Sequence, residues 1–371
     1  MKKFLSLLLV AVLAFGMVAC GDSSTDGGNT DGGDDVTKVA ILLPHIGDQS
    51  YLDIVANAKT LLDAEYGDAI SVNIVQMGDD EADWEPANRQ AAVEGYDIIV
   101  SGNWQYETAM LTVAAENPDI KYLNFDYSDY DANTSLPNVY AITYAANEIG
   151  YLTGVVAAVK SQTGIIGGIV GQDNAGMNQF MAGYIQGAAE VNPDIKVIIT
   201  YVGSYVDPTT AKEQATEMIN AGADVIWGCA GGSGNGVFEA VSEVALDADG
   251  NRTVWAIGVD DDQYATMSAK PELANTILTS GLKNADVAVC NAVKAIIEGT
   301  APFGTAEMKH YSDGAVGLAE NDYFKANMSD EEMAEVKLHT DKVFNGEVEV
   351  VDELTNSGIF KQLYAQYGLN K

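Results

Sequence analysis

Eight short apolar runs alternating with amphipathic stretches constrain this chain more than any other feature: KVAILLP, SVNIVQM, DIIVSG and KYLNFD, then GIIGGIV, KVIITYV, DVIWGCA and TVWAIGV. Strand-length runs separated by helices pack as parallel sheets covered on both faces. The second four runs repeat the first. Slid by 127 residues, and to within one residue, VAILLP falls on IIGGIV, SVNIVQM on IITYVGS, and GYDIIVSGNW (95–104) on GADVIWGCAG (222–231). No gap is needed between Val39 and Trp104. Beyond it ALDADGN lengthens the second copy, and the NFD ending at Asp126 then matches the GVD ending at Asp260.

Two copies predict two doubly wound, Rossmann-like α/β lobes joined by a hinge, and the stretch from Thr37 onward is more than one core usually holds. The expected division is 37–144 with 281–315 in lobe 1 and 145–280 with 316–371 in lobe 2. Hinge strands are expected near 142–147, 278–283 and 313–318. Ligands of such sheets bind at the carboxyl ends of the strands. That places PHIGDQSY, the segment after Met77, GNWQY and DYSD on one wall of a cleft and GQDNAGMN, GSYVDP, GGSGNG and DDDQ on the other.

WGCAGGSGNGVFEA (227–240) tests the enzyme classes. A P-loop needs Gly-Lys-Ser/Thr four residues after its first glycine, but Gly231 leads to Gly236 and Val237; the dinucleotide fingerprint fails at Val237 as well. G-x-S-x-G is approached by Gly231 and Ser233 and broken by Asn235. A hydrolase built on Ser233 and His45 is therefore a weak alternative. What remains is a wall where Gly231, Gly232 and Gly234 let backbone N–H groups approach a ligand. In ALDADGNRTV, Arg252 and Gly258 stand where a calcium loop needs Gly and Glu, so a turn is expected, with no metal site and no cofactor.

The chain opens MKKFLSLLLVAVLAFGMVACG, two lysines before an apolar run that ends in small residues. This is a secretory signal peptide, expected over 1–19, and Cys20 after Met-Val-Ala looks like a lipobox cysteine that becomes lipidated. GDSSTDGGNTDGGDD has no apolar surface to bury, so 20–36 reads as a flexible linker that holds the body at the outer face of a cell membrane. The formal charge of -35, more negative once Lys2 and Lys3 leave, argues against nucleic acid and anionic lipid as partners. Cys229 and Cys290 make neither a disulfide framework nor a metal cluster.

Tyr51, Trp104 and Tyr205 lie on the expected cleft loops, where flat ligands are held by stacking. Asp48, Asp126 and Asp260 sit at strand ends, and Lys283 follows TILTSGL. Carboxylates with a lysine suit the hydroxyls of a sugar, through charge-assisted hydrogen bonds. The bland readings are helix capping for Asp48 and a surface ion pair for Lys283.

Taken together, VNPDIKVIITYVGSYVDPTTAKEQATEMINAGADVIWGCAGGSGNGVFEA, IGVDDDQ, LTSGLKNADVAV and SDGAVGLA carry a likeness. The chain resembles the basic membrane lipoprotein family of ABC transporter substrate-binding proteins, whose best-understood members are purine nucleoside receptors. The resemblance implies a type I periplasmic binding protein fold, no enzymatic activity, a monomer, and delivery of ligand to ABC permease and ATPase subunits. It implies that Tyr51 takes the place of a stacking phenylalanine and that Tyr205 supplies the second ring. Asp126 would meet the base, Asp260 and Lys283 the ribose, and Gly231, Gly232 and Gly234 the glycine loop. Leu52 departs from the family's asparagine and implies a lost polar contact; Trp104 adds bulk. A sugar or other small-metabolite receptor, and a surface signalling receptor, are the alternatives.

Overall fold

The computed structural model describes residues 36–48 and 51–369. The expected signal peptide, lipidated Cys20 and linker up to residue 35 lie outside the described residues, as do Gln49 and Ser50.

Twelve strands form among the described residues: β1 (Thr37–Leu43), β2 (Ile70–Gln76), β3 (Ile98–Val100), β4 (Lys121–Asn124), β5 (Val139–Tyr144), β6 (Ile165–Val170), β7 (Lys196–Tyr201), β8 (Val225–Cys229), β9 (Trp255–Asp260), β10 (Ile277–Lys283), β11 (Thr305–Lys309) and β12 (Val316–Leu318). They make two six-stranded sheets, β2-β1-β3-β4-β5-β11 and β7-β6-β8-β9-β10-β12. Every pairing is parallel except that of β10 with β12. Both sheets step outward from their first strand and then back past it, so each carries a switch point where neighbouring loops diverge. The apolar runs are continuous because helices cover both faces: Val39–Leu43 and Val225–Cys229 are wholly buried.

The repeated Gly-x-Asp has a structural cause. Gly95 and Gly222 have φ of 76° and 98°, which favours glycine. Two residues on, Asp97 accepts the backbone N–H of Lys38 at 2.8 Å, and Asp224 accepts those of Gln162 and Thr163 at 2.6 and 2.9 Å. Each aspartate thereby ties the start of its lobe's third strand to the approach of that lobe's first.

The tightest packing in the second lobe joins the helices Ala146–Lys160 and Ala175–Val191. Gly150 and Gly154 on one, and Gly183 and Gly187 on the other, repeat at four-residue spacing and so share a face. A Cβ at any of the four would overlap backbone of the opposite helix: Phe180, Tyr184, Asn147 and Tyr151 respectively. Backbone meets backbone here, and no rotamer change relieves a clash.

The chain crosses between sheets after Tyr144, after Lys283, and between Lys309 and Val316. A clasp joins two of these crossings. His310 Nδ1 lies 2.8 Å from Glu148 Oε1, while Glu148 Oε2 accepts the N–H of Tyr311 at 2.7 Å. The Glu148 carboxylate raises the imidazole above its ordinary value, against a smaller opposing effect of burial. A folded-state value above the unfolded one means that this stabilisation is fully present below about pH 6.5 and fades as pH rises through the folded value. The melting-temperature gap between the protein and its His310→Gln variant should therefore be wider at pH 5.5 than at pH 8.5; an equal gap would remove the clasp as a pH-dependent contributor.

Candidate functional site

Asp126 is the centre of the site. It follows β4, is bridged in parallel to Asn103 after β3, and its side chain is only 8% exposed. Three side chains donate to it. The Tyr51 hydroxyl reaches Oδ2 at 2.9 Å, the Lys283 ammonium reaches Oδ2 at 2.6 Å, and the Thr143 hydroxyl reaches Oδ1 at 2.8 Å. Lys283 comes from the end of β10 in the second sheet, so the pair ties the two lobes together. With 12% of its side chain exposed it is a buried ion pair, not the surface pair that is the bland reading of a lysine there. Its ammonium also sits 4.5 Å from the ring centre of Tyr51 and 4.8 Å from that of Tyr144, both favourable to a cation.

The loop bearing Asp126 is held by Glu107, which no sequence motif singles out. Glu107, buried near the start of the helix Glu107–Glu116, accepts Asn124 Nδ2 at 3.2 Å, Asn133 Nδ2 at 3.0 Å, the N–H groups of Ser128 and Asp129 at 3.1 Å, and the Ser128 hydroxyl. One carboxylate thus braces 124–133 from both ends. Nothing in the sequence marks Thr143 and Tyr144 for the cleft either, because the end of β5 reads there as hinge. Burial pushes the phenols of Tyr51 and Tyr144 well up, and the charge of Asp126 adds to both, so both stay protonated. The Tyr144 hydroxyl is buried with no hydrogen-bond partner among the described residues.

Tyr51 opens the helix Tyr51–Tyr66, and its ring is backed by Phe125 at 6.2 Å. Asp48 caps that helix, accepting the N–H groups of Leu52 at 2.9 Å and Asp53 at 3.1 Å. Leu52 is buried in the first lobe's core, so the side chain that departs from the family pattern is spent on packing.

On the opposite wall, the Tyr205 ring lies on Gly171, where any Cβ would overlap it. Across the cleft it touches Trp104, with ring centres 5.9 Å apart and planes at 53°. These two rings meet each other directly. Burial pushes the Tyr205 phenol up to about 12, with Cys229 and Asp260 adding to it. Asp260 ends β9 with φ of 68°, left-handed backbone that aspartate tolerates better than most residues.

The glycine loop is less open than its sequence implies. Gly231 and Gly232 are partly exposed beside Tyr205, but Gly234 is buried, and a Cβ there would lie 2.7 Å from the Gly228 carbonyl. Gly234 is thus required by packing on β8. Ser233 is fully buried, donating to the Ser204 carbonyl at 2.9 Å and accepting from the Asp207 N–H at 2.8 Å. It pins the Tyr205 loop, while His45 is engaged with Asp79 at 2.6 Å. Among the described residues no group of three His, Cys, Asp or Glu is placed to hold a metal, and no helix is long and apolar enough to cross a membrane.

Two doubly wound lobes, crossed three times by the chain and tied by a buried charge pair at the carboxyl ends of their strands, define a substrate-binding protein of the type I periplasmic class. A solved ABC transporter solute-binding protein from Aeropyrum pernix matches with a TM-score of 0.73 at 26% identity, covering 89% of this chain and 98% of that one. The model of the Bmp family, ABC transporter substrate-binding protein PnrA-like, matches residues 37–353. The chain belongs to this family, which serves ABC transport and is not enzymatic. It is similar to a CD4+ T-cell-stimulating antigen of Listeria innocua, 28% identical over 95% of this chain and 99% of the relative. It is also similar to an ABC transporter nucleoside-binding protein, BmpA, of Lactococcus lactis, 32% identical over 64% of this chain and 67% of the relative.

Proposed function

We propose that the chain binds a nucleoside, a purine nucleoside first, between its lobes and delivers it to ABC permease and ATPase subunits as a lipoprotein anchored through Cys20. The carrying observation is Asp126: a buried acceptor, flanked by the Tyr51 ring, whose cationic partner comes from the other lobe. In this reading Asp126 takes an N–H of the base while Tyr51 and Tyr205 lie against its faces. Lys283 has three N–H donors and spends one on Asp126. The other two, with the Asp260 carboxylate, suit the vicinal hydroxyls of ribose, for which charge-assisted bonds contribute about 1.5–3 kcal/mol each. Trp104 meeting Tyr205 across the cleft is the contact that ligand exchange must open, which couples binding to lobe motion. The Lactococcus lactis relative's name agrees with this ligand class.

The test is a melting-temperature panel of nucleosides, free bases and sugars. Purine nucleosides at a hundred times their dissociation constant should stabilise the protein by about 2.7 kcal/mol. A shift with a sugar and none with any nucleoside would replace this reading by that of a sugar receptor.

A further inference from the structure

The carboxylate of Asp126 is nearly full. A carboxylate offers about four lone-pair positions, two on each oxygen. Oδ2 already accepts from Tyr51 at 2.9 Å and Lys283 at 2.6 Å, and Oδ1 accepts from Thr143 at 2.8 Å. One position is left, on Oδ1.

From this occupancy we infer that the cleft selects among purine nucleosides by the number of N–H donors on the base edge, and that the Tyr51 hydroxyl is the specificity-determining group. The inference rests on the nucleoside reading above. Guanine presents N1–H and an N2 amino group side by side, a fork that matches both oxygens of a carboxylate much as a guanidinium does. Hypoxanthine presents N1–H alone. Inosine therefore fits the single open position with every present bond kept.

Guanosine can use its fork only by displacing a donor from Oδ2. Displacing Lys283 breaks a buried ion pair, with 12% and 8% of the two side chains exposed. Displacing Tyr51 strands a hydroxyl beside a carboxylate it then cannot reach. That hydroxyl stays a donor, because burial and the Asp126 charge hold its proton on. A phenylalanine at this position would keep the ring and return one lone pair of Oδ2 to the ligand. The selectivity thus resides in one oxygen atom that the stacking role of the ring does not need.

Inosine and guanosine differ only in the 2-amino group, so titration calorimetry with the pair isolates the effect. The protein should prefer inosine by at least about tenfold, equivalent to about 1.4 kcal/mol. In Tyr51→Phe the preference should fall to within about threefold, through tighter guanosine binding and little change for inosine. Equal affinities in the unmodified protein, or an unchanged ratio in a folded Tyr51→Phe, overturn the inference and leave the nucleoside reading standing. Binding of neither nucleoside by the unmodified protein overturns the inference, and overturns the nucleoside reading too when no other nucleoside of the panel shifts the melting temperature. The unmodified protein decides the selectivity even if the variant proves unstable.

Discussion

Gly154→Val is expected to destabilise the protein by at least about 3 kcal/mol, read as a lower denaturant midpoint and a melting temperature down by more than about 5 °C. The cause is the contact between the helices Ala146–Lys160 and Ala175–Val191, where a Cβ at Gly154 overlaps the Tyr184 backbone. A side chain in the way can change rotamer, but a carbonyl in a helix moves only with its helix. The helices must separate, and the close approaches of the Phe180, Tyr184, Asn147 and Tyr151 backbone to the four glycines are lost together. Gly176→Ala, at the first turn of the second helix, is the control: the added Cβ meets no backbone, only the capping Asn174 Oδ1 at 3.3 Å, which accepts the Met177 N–H at 2.9 Å, and helical backbone there suits alanine. Its effect should stay within about 1 kcal/mol. If Gly154→Val melts like the control, the glycine faces do not set the spacing of these helices.

Asp126→Ala should weaken nucleoside binding by at least about a hundredfold in calorimetry and also lower stability. Removing the carboxylate deletes the proposed acceptor for the base and leaves the Lys283 ammonium buried without its counter-charge, a situation that costs about 3–5 kcal/mol when one partner of such a pair is lost. The two consequences separate in a double variant. Asp126→Leu with Lys283→Met replaces the pair by apolar side chains of similar size, an exchange that is often neutral or favourable. It should restore the melting temperature most of the way and leave binding absent. Affinity retained within threefold in Asp126→Ala would remove Asp126 from the site.

The glycine faces and the Asp126 pair are unequally legible in the sequence. The repeat of GYDIIVSGNW in GADVIWGCAG is visible because self-similarity survives where a backbone demand recurs: a glycine at positive φ and an aspartate tying strand approaches together. The strand runs are visible because a parallel sheet buried on both faces admits little else than apolar residues. The four-residue glycine spacings are equally present in the sequence, yet nothing there says which helix each faces. Glu107 reads as one acid among many, because its value lies in five donors gathered from 124–133.

The residues of the sequence alone determined the class of fold, the two-copy plan and the loops at the carboxyl ends of the strands, since these follow from local periodicity and from order along the chain. Only the tertiary structure decided the pairing within the site. Lys283 meets Asp126 across 157 positions of sequence, Tyr51 adds its hydroxyl to the same oxygen, and Trp104 closes on Tyr205. Gly234 and Leu52 turned out to serve packing. The physical reason is that hydrogen bonds and charge pairs depend on ångström distances between side chains from different elements. Those distances exist only after both sheets have formed and the hinge has brought their ends together.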